Sequence, residues 1–285
     1  MPGCSQIPSP RITAVSRECG IRGAAPVGYT AAVTPTRSRP GRGWFVTLEG
    51  PEGAGKTTQA ARLLDAFEAA GLAVALVREP GGTALGEAIR SLLLYGEAGA
   101  APITPRADAL LFNAARAQLV AEQVAPALAA GTTVICSRFA DSTLAYQGAG
   151  MGLPLDDLRA LERFATGGLR PDLTLLLDLP VEVGLTRKRG VEETRFESGF
   201  DVAFHRRVRE GFLALAAAEP ARFATFDAGE SPDVVFDRLV DAVERRLPVG
   251  LGWRGRASVS VGLGREQTPA AGGSEPNGTP ARITP

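Results

Sequence analysis

The sequence predicts an α/β fold, in which a five-stranded parallel β-sheet is flanked by helices. Residues 43–247 alternate short apolar runs with longer runs of helical character, which is the pattern of parallel strands joined by crossover helices. A glycine-rich loop also stands directly between the first predicted strand and the first predicted helix. Ligands of such folds bind at the carboxyl ends of the strands, so we expect the site residues just after them.

Five strands and seven helices are expected in alternation. The strands are short and rich in β-forming residues, and they are predicted at 44–49, 73–78, 133–137, 173–179 and 223–227. The helices are longer and fill the gaps, at 56–70, 85–95, 106–130, 156–166, 181–189, 201–218 and 232–247. Ser231 is the predicted N-cap of the last helix and Pro232 its first residue, because a hydroxyl accepts the unpaired first-turn amides and proline lacks one.

The two ends of the chain differ in composition from this domain. Residues 1–42 and 248–285 are rich in Pro, Gly, Ser, Thr and Arg and show no periodicity. Such segments bury too little apolar surface to fold. We therefore predict a disordered N-terminal extension and a disordered C-terminal tail. For the extension, a transit peptide and a start codon placed too far upstream both stay open.

Composition excludes several classes of protein. The chain has 31 basic and 31 acidic residues and no net charge, which argues against nucleic acid as a partner. Cys4, Cys19 and Cys136 lack the spacing of a disulfide framework or a zinc site, which favours a reducing compartment. No apolar run approaches the roughly 18 residues that span a bilayer. We therefore expect a cytoplasmic protein without a membrane partner.

The glycine-rich loop matches the phosphate-binding pattern G-x-x-x-x-G-K-[ST]. It consists of Gly50, Pro51, Glu52, Gly53, Ala54, Gly55, Lys56 and Thr57, followed by Thr58 in the helix. Its backbone amides and the helix N-terminus form an anion site. Lys56 is expected to reach the β- and γ-phosphates of a nucleotide, and the Thr57 hydroxyl to ligate Mg²⁺. Lysine is scarce elsewhere, since Lys188 is the only other one.

Two further segments contain residues suited to a second ligand. The turn at 78–83 contains Gly81 and Gly82, which allow a ligand to approach backbone, and Arg90 follows within reach of a phosphate; the alternative is a tight turn only. Phe112 and Arg116 are spaced i, i+4 and share a helix face. They can stack on a base and bond its edge, or they can be a core aromatic beside a surface charge.

Two arginine-bearing segments suggest charge neutralisation. Arg138 follows the third strand and can bridge two phosphates, or it can form a surface salt bridge. Residues 187–199 contain Arg187, Arg189 and Arg195 and resemble a mobile lid, although a solvated charged loop has the same composition. The single histidine, His205, is expected on the surface without a chemical role.

In combination these segments resemble the thymidylate kinases, which are P-loop nucleoside monophosphate kinases. The matching pieces are LEGPEGAGKTTQ, REPGGT, LLFNAARAQL, SRFADSTLAYQG, RPDLTLLLDLP and FESGFDVAFHRRVREGF, in the order and spacing of the family. The resemblance covers residues 44–247. It implies a P-loop NTPase fold, a homodimer, ATP with Mg²⁺ as phosphoryl donor and dTMP as acceptor.

The resemblance also implies roles for residues of the acceptor site. Phe112 is expected to stack on thymine and Arg116 to hydrogen-bond its edge. Ser142, Tyr146 and Gln147 are expected to line the base and sugar pocket, with Tyr146 crowding a ribose 2′-hydroxyl.

Further roles concern the phosphates. Glu52 is expected near the acceptor sugar, Arg90 and Arg138 at the acceptor phosphate, and Pro80 after a cis peptide bond. An arginine-rich lid, beside a phosphate loop without arginine, is similar to the bacterial type. Arg187 is then expected at ATP and Arg195 at the transferring phosphoryl group, although the choice among Arg187, Arg189 and Arg195 stays open.

One position departs from the family pattern. Ser137 stands where the family usually has Asp before Arg138. A hydroxyl is a weaker Mg²⁺ ligand than a carboxylate, so we expect Thr57, phosphate oxygens and water to hold the ion, with Glu52 or Glu49 nearby. Another nucleotide or nucleoside kinase of this fold, or a non-catalytic nucleotide-binding protein, are the alternative functions.

Overall fold

The protein is described by a computed structural model for residues 41–96, 102–188 and 194–252. The predicted extension at 1–42 and tail at 248–285 lie outside these residues, apart from residues 41, 42 and 248–252. Arg189 of the predicted lid lies outside them as well.

The central sheet is parallel and has five strands, as the sequence predicts. The strands are β1 (Phe45–Glu49), β2 (Val74–Arg78), β3 (Thr133–Ser137), β4 (Leu173–Asp178) and β5 (Phe223–Asp227). Their order in space is β2-β3-β1-β4-β5. The central strand β1 is buried at every residue, as expected for a parallel sheet covered on both faces.

Ten α-helices occur in the described residues. They are α1 (Lys56–Ala69), α2 (Ala84–Tyr95), α3 (Pro105–Leu119), α4 (Ala125–Ala129), α5 (Ala140–Thr143), α6 (Leu155–Thr166), α7 (Val181–Lys188), α8 (Arg195–Ser198), α9 (Val202–Ala218) and α10 (Pro232–Arg246). Ser231 caps α10 and accepts a hydrogen bond from the amide of Val234 at 3.4 Å, which confirms the predicted cap. None of the helices in the described residues has the length and apolarity needed to cross a bilayer.

The prediction of one continuous helix at 106–130 is wrong, because the helix is interrupted. A π-helical segment, Val120–Val124, separates α3 from α4. Pro126 lies in the first turn of α4, and it cannot donate the backbone hydrogen bond that a continuous α-helix needs there. The widened turn accommodates this missing donor.

A second helical region, absent from the sequence prediction, follows β3. It consists of α5 and the π-helical segment Leu144–Gly150, which packs against α9. A Cβ atom on Gly150 would lie 2.6 Å from the Phe204 ring, so glycine permits this close packing. Tertiary contact therefore stabilises a helix that two glycines make weak in isolation.

His205 on α9 is buried, contrary to the surface position expected from the sequence. Only 2% of its surface is exposed. Its ring meets the ring of Phe204 edge-on, with the centroids 5.3 Å apart. The packing of α9 against the π-helical segment turns this helix face inward.

The register of the strands aligns their carboxyl ends at one edge. Leu48 of β1 and Arg78 of β2 both pair with Ser137 of β3. The phosphate-binding loop, the 78–83 turn and the segment after β3 therefore start side by side. This edge contains the candidate site.

Candidate active site

A cavity of about 490 Å³ opens at the carboxyl edge of the sheet. Its walls come from the phosphate-binding loop, the end of β2, α3, the helical region after β3, and the lid segment. These segments are far apart in sequence. Predicted residues for both ligands, from Lys56 to Phe112, line this one cavity.

The phosphate-binding loop requires glycine at two positions. Gly53 and Gly55 have φ angles of 71° and 86°, in the left-handed region that glycine adopts readily. A Cβ atom on Gly53 would lie 2.2 Å from the carbonyl oxygen of Gly184. The loop ends where α1 begins at Lys56, so the helix N-terminus adds its positive end to the anion site.

Lys56 is held inside this loop by backbone oxygens. Its Nζ donates to the carbonyl oxygens of Gly50 at 2.9 Å and Pro51 at 2.7 Å. Burial, followed by repulsion from Arg138, lowers the pKa of Lys56 to about 7. A phosphate placed here would supply the negative charge that favours the protonated form of Lys56, so the loop fits a nucleotide phosphate chain.

Arg138 adopts a backbone conformation that non-glycine residues rarely take. Its φ of 68° is the only positive value for a non-glycine residue in the described parts of the chain. The Nη2 atom donates to Glu52 Oε1 at 2.7 Å and to the Tyr146 hydroxyl at 3.1 Å. The Nη1 atom donates to the Gly50 carbonyl oxygen and to Ser142 Oγ, both at 3.2 Å. The strained conformation directs the guanidinium toward the phosphate-binding loop.

Glu52 is a charged partner of both cations. Burial would raise the pKa of Glu52, but Arg138 and then Lys56 outweigh it and hold the pKa at about 2. The same Oε1 atom accepts a hydrogen bond from the Tyr146 hydroxyl at 2.8 Å. Glu52 and Tyr146 therefore face the cavity as an ordered pair, at the position expected for the acceptor sugar.

Glu49 forms hydrogen bonds with the segment that follows β3. Its Oε1 atom accepts from the Phe139 amide at 2.7 Å, and its Oε2 atom accepts from Ser142 Oγ at 2.6 Å. Burial, and then the charge of Asp141, raise the pKa of Glu49 to about 7. Glu49 is fully buried and does not line the cavity, so it positions Ser142 rather than contacting a ligand.

The aromatic side of the cavity contains Phe112, as predicted for the base. Phe112 is half-buried, and its ring centroid lies 6.1 Å from that of Phe196 in the lid segment. Phe196 also meets Tyr146 edge-on at 5.3 Å. The three rings form an apolar wall on which a planar base could stack.

Arg116 is tied to protein atoms around its whole guanidinium. Its Nε donates to Glu79 Oε2 at 2.8 Å, and Nη1 donates to Asn113 Oδ1 at 3.3 Å and Thr143 Oγ1 at 3.0 Å. Nη2 donates to the Phe139 carbonyl oxygen at 3.0 Å. Arg116 is 1% exposed and lines the cavity, so the surface charge of the alternative reading is excluded. Its bond to a base edge stays a prediction.

The turn after β2 brings Arg90 to the cavity. The peptide bond between Glu79 and Pro80 is cis, which confirms the expectation from the resemblance. The Nη1 atom of Arg90 donates to the Pro80 carbonyl oxygen at 3.0 Å. The side chain of Arg90 lines the same cavity as Arg138.

The sequence was also compared with known protein families. The family described as thymidylate kinase matches residues 48–239, which is more than half of the 285 residues. The chain belongs to the thymidylate kinase family.

Three curated thymidylate kinases are similar over nearly their whole length. That of Synechococcus sp. strain JA-2-3B'a(2-13) is 53% identical over 213 residues, which cover 74% of this chain and 98% of the relative. That of Thermomicrobium roseum is 54% identical, with 69% and 92% covered. That of Deinococcus radiodurans is 53% identical, with 72% and 98% covered.

The lid of this family member brings only some of the predicted arginines to the cavity. Arg187 lines the cavity and donates to the carbonyl oxygens of Ala228 at 3.0 Å and Gly53 at 3.5 Å. Arg195 instead forms an ion pair with Asp108 on α3 and does not line the cavity. The structure thus separates two residues that the sequence places in one basic stretch.

Sequence reasoning did not single out two residues at or beside the cavity. Asp108 bonds both Arg195 and Gln147, and Phe196 forms part of the aromatic wall. Asp108 precedes Phe112 by one helical turn and thus shares its face, which is the signal that could have revealed it. Phe196 lies within the lid sequence but shows no pattern of its own.

The two residues that the sequence places nearest to a predicted Mg²⁺ ion, Thr57 and Ser137, are neutral. Thr57 is exposed at the start of α1, and both Thr57 and Ser137 line the cavity. No group of three His, Cys, Asp or Glu side chains that could hold a metal ion occurs in the described residues. Two hydroxyls beside a phosphate cradle fit Mg²⁺ only if phosphate oxygens and water complete its ligands.

Proposed function

We propose that the chain transfers the γ-phosphoryl group of ATP to dTMP, giving dTDP and ADP. The observation that carries this proposal is a single cavity whose lining includes both the phosphate-binding loop and the Phe112 side chain. Such a cavity accommodates two nucleotides end to end, with their phosphates facing each other. The thymidylate kinase relatives support dTMP as the acceptor.

The proposed mechanism depends on positioning and charge neutralisation. Phosphoryl transfer of this kind needs no covalent intermediate, because the enzyme holds donor and acceptor in line and stabilises the charge between them. The loop amides, Lys56 and Arg187 hold the phosphates of ATP, and Arg90 and Arg138 hold the acceptor phosphate. Thr57 and phosphate oxygens would hold Mg²⁺, which would supply further positive charge beside the phosphates.

The acceptor nucleoside is held by the other end of the cavity. The thymine ring stacks on Phe112, with Gln147 and Arg116 at its edge. The sugar lies beside Ser142 and the paired Glu52 and Tyr146. The hydroxyl of Tyr146 occupies the space that a ribose 2′-hydroxyl would need, which favours a deoxyribonucleotide.

Arg187 is the lid arginine best suited to the transition state. It lies next to the loop, whereas Arg195 is engaged by Asp108. The earlier expectation for Arg195 therefore requires a rearrangement of the lid that breaks the pair with Asp108. Arg187 requires only the exchange of backbone carbonyl partners for phosphate oxygens, which are stronger acceptors.

A coupled ADP-release assay tests the proposed function directly. We expect ATP turnover by the purified chain only when dTMP is added, with lower kcat/KM for dUMP, dCMP, thymidine and UMP. Preference for another acceptor would indicate a different kinase of this fold. Nucleotide binding without ADP release from any acceptor would indicate a non-catalytic protein.

Introducing the carboxylate at the metal position is expected to change the magnesium requirement. In Ser137→Asp, the Mg²⁺ concentration for half-maximal rate should fall about tenfold, because a carboxylate orients and attracts the ion's water shell more strongly than a hydroxyl. Magnesium titration of the initial rate measures this. Ala214→Asp adds the same charge to the exposed side of α9 and serves as control. An unchanged titration in Ser137→Asp would place residue 137 away from the ion.

We also propose that the chain acts in the cytoplasm as a homodimer. Apolar side chains are exposed on three adjacent helices: Leu92 of α2 is 52% exposed, Leu110 of α3 56%, and Phe164 of α6 89%. Large exposed apolar groups mark association surfaces. Sedimentation equilibrium of the purified chain measures its assembly state, and a monomer at all concentrations would contradict the proposal.

A further inference from the structure

The amide of Gln147 has a defined orientation in the cavity wall. Gln147 is 1% exposed and lines the cavity. Its Nε2 atom donates to Asp108 Oδ2 at 2.8 Å. An ionised carboxylate can only accept hydrogen bonds, so it binds the NH₂ end of the amide. The carbonyl oxygen Oε1 is then the end of Gln147 that remains for a ligand.

Asp108 is itself fixed by the lid segment. It is 0% exposed, and its second oxygen, Oδ1, pairs with the guanidinium of Arg195. Burial raises the pKa of Asp108 above its usual value, whereas the charge of Arg195 and the hydrogen bonds from Gln147 and Arg195 act in the opposite direction and favour the ionised form. Both oxygens of Asp108 are therefore committed as acceptors, one to the lid and one to the cavity wall.

Arg195, the lid residue that pairs with Asp108, is itself held by an aromatic contact. The guanidinium of Arg195 lies 4.6 Å from the centroid of the Phe196 ring. Phe196 is 5% exposed and contacts both Phe112 and Tyr146. The contacts Arg195 to Asp108 to Gln147 thus run from the lid to the part of the cavity with the aromatic wall.

We propose that Asp108 is a positioning residue that sets base specificity by fixing the amide of Gln147 as an acceptor toward the bound base. An acceptor at this point matches a pyrimidine whose N3 carries a proton, as in thymine and uracil. It opposes a pyrimidine whose N3 is itself an acceptor, as in cytosine, because two facing acceptors leave both unpaired. This inference rests on the proposed function and deepens it.

The test replaces Asp108 by asparagine. Asparagine offers one acceptor and one NH₂ group, and Arg195 takes the acceptor. Its NH₂ group then faces Gln147, whose amide must turn over to accept, so that its own NH₂ end meets the base. We expect the ratio of kcat/KM for dTMP over dCMP to fall at least tenfold in Asp108→Asn, mostly through a higher KM for dTMP. Asp65→Asn, an exposed change on α1, should leave the ratio unchanged.

A double-mutant cycle separates positioning from a general structural role. Gln147→Leu removes the amide, so it should lower the same ratio, and adding Asp108→Asn to it should change the ratio less than twofold further. A ratio retained within twofold in folded Asp108→Asn, or losses that multiply in the double variant, would overturn the inference. A structural defect alone would lower kcat/KM equally for both nucleotides, which leaves the ratio intact.

Two further measurements keep the outcome decisive. If Asp108→Asn fails to fold, as judged by circular dichroism, Asp108→Glu replaces it in the test. Glutamate retains two acceptor oxygens, so this variant should keep the ratio of kcat/KM for dTMP over dCMP while raising KM. Loss of that ratio in Asp108→Glu would count against the inference. Calorimetric Kd values for dTMP and dCMP give the ratio without turnover. A failure of the proposed phosphoryl transfer is thereby distinguished from a failure of the base-specificity inference.

Discussion

Lys56→Ala is expected to lower kcat by on the order of 10² to 10⁴. Lys56 is the ammonium that the phosphate-binding loop surrounds, with Nζ 2.9 Å and 2.7 Å from two loop carbonyl oxygens. Without it, the charge that develops between the phosphates loses the cation that the loop holds in place. The loss corresponds to about 3 to 5 kcal/mol of transition-state free energy. Single-turnover kinetics at saturating ATP and dTMP measure it.

Two variants control this experiment. Lys56→Arg keeps the charge, but its planar guanidinium is too large for the closed loop and places its donors differently, so we expect little recovery. Arg62→Ala removes a cation from the same helix whose partner is Asp233 on α10, and it should keep turnover within about twofold. Near-normal turnover in Lys56→Ala would contradict the role assigned to this lysine.

Arg138→Ala is expected to lower kcat by a similar 10² to 10⁴. The guanidinium donates to the Gly50 carbonyl oxygen, to Glu52 and to Tyr146, and we propose that it binds the acceptor phosphate. Its removal takes away a cation and leaves the carboxylate of Glu52 with the Tyr146 hydroxyl and the charge of Lys56 as its remaining partners. That carboxylate would then repel the incoming phosphate and raise the KM for dTMP as well.

The backbone at this position provides a matched control. Alanine retains the strain of φ 68°, whereas Arg138→Gly relieves it, which should make the glycine variant more stable by about 1 kcal/mol. Both variants lack the guanidinium, so both should lose activity equally, and thermal unfolding should separate stability from catalysis. Arg163→Ala, exposed on α6, should be neutral. A clearly higher activity in Arg138→Gly than in Arg138→Ala would mean that activity depends on stability, and it would contradict the role assigned to the Arg138 guanidinium.

Much of the candidate site was accessible from the sequence because its signals are local. The phosphate-binding loop needs glycines and a lysine at fixed spacing, and Lys56 and Thr57 could be placed from that spacing alone. Phe112 was singled out from its place on a helix face and Arg138 from its place after a strand, and both line the cavity, although the residues alone left a core aromatic and a surface salt bridge as alternatives. In each case the chemistry depends on neighbours within a few residues or on a strand end.

Other features depend on contacts between segments that are distant in sequence. Whether Arg195 faces the cavity or α3 depends on Asp108, which lies 87 residues away. From the sequence alone, Arg116 could be a surface charge. The fold buries it by placing Glu79 and Phe139 within hydrogen-bonding distance of its guanidinium. The burial of His205 likewise depends on how α9 meets the helical region after β3.

The sequence by itself determined the five strands and most of the helices between them, the phosphate-binding loop and most of the residues that gather at one edge of the sheet. Periodicity and motif spacing carry this information, since both depend on backbone geometry over a few residues. Only the tertiary structure decided which cations are paired, which carboxylates are buried and which end of the Gln147 amide remains for a ligand. Those properties depend on the partners that the fold places around each polar group, because a buried group must be satisfied by whatever surrounds it.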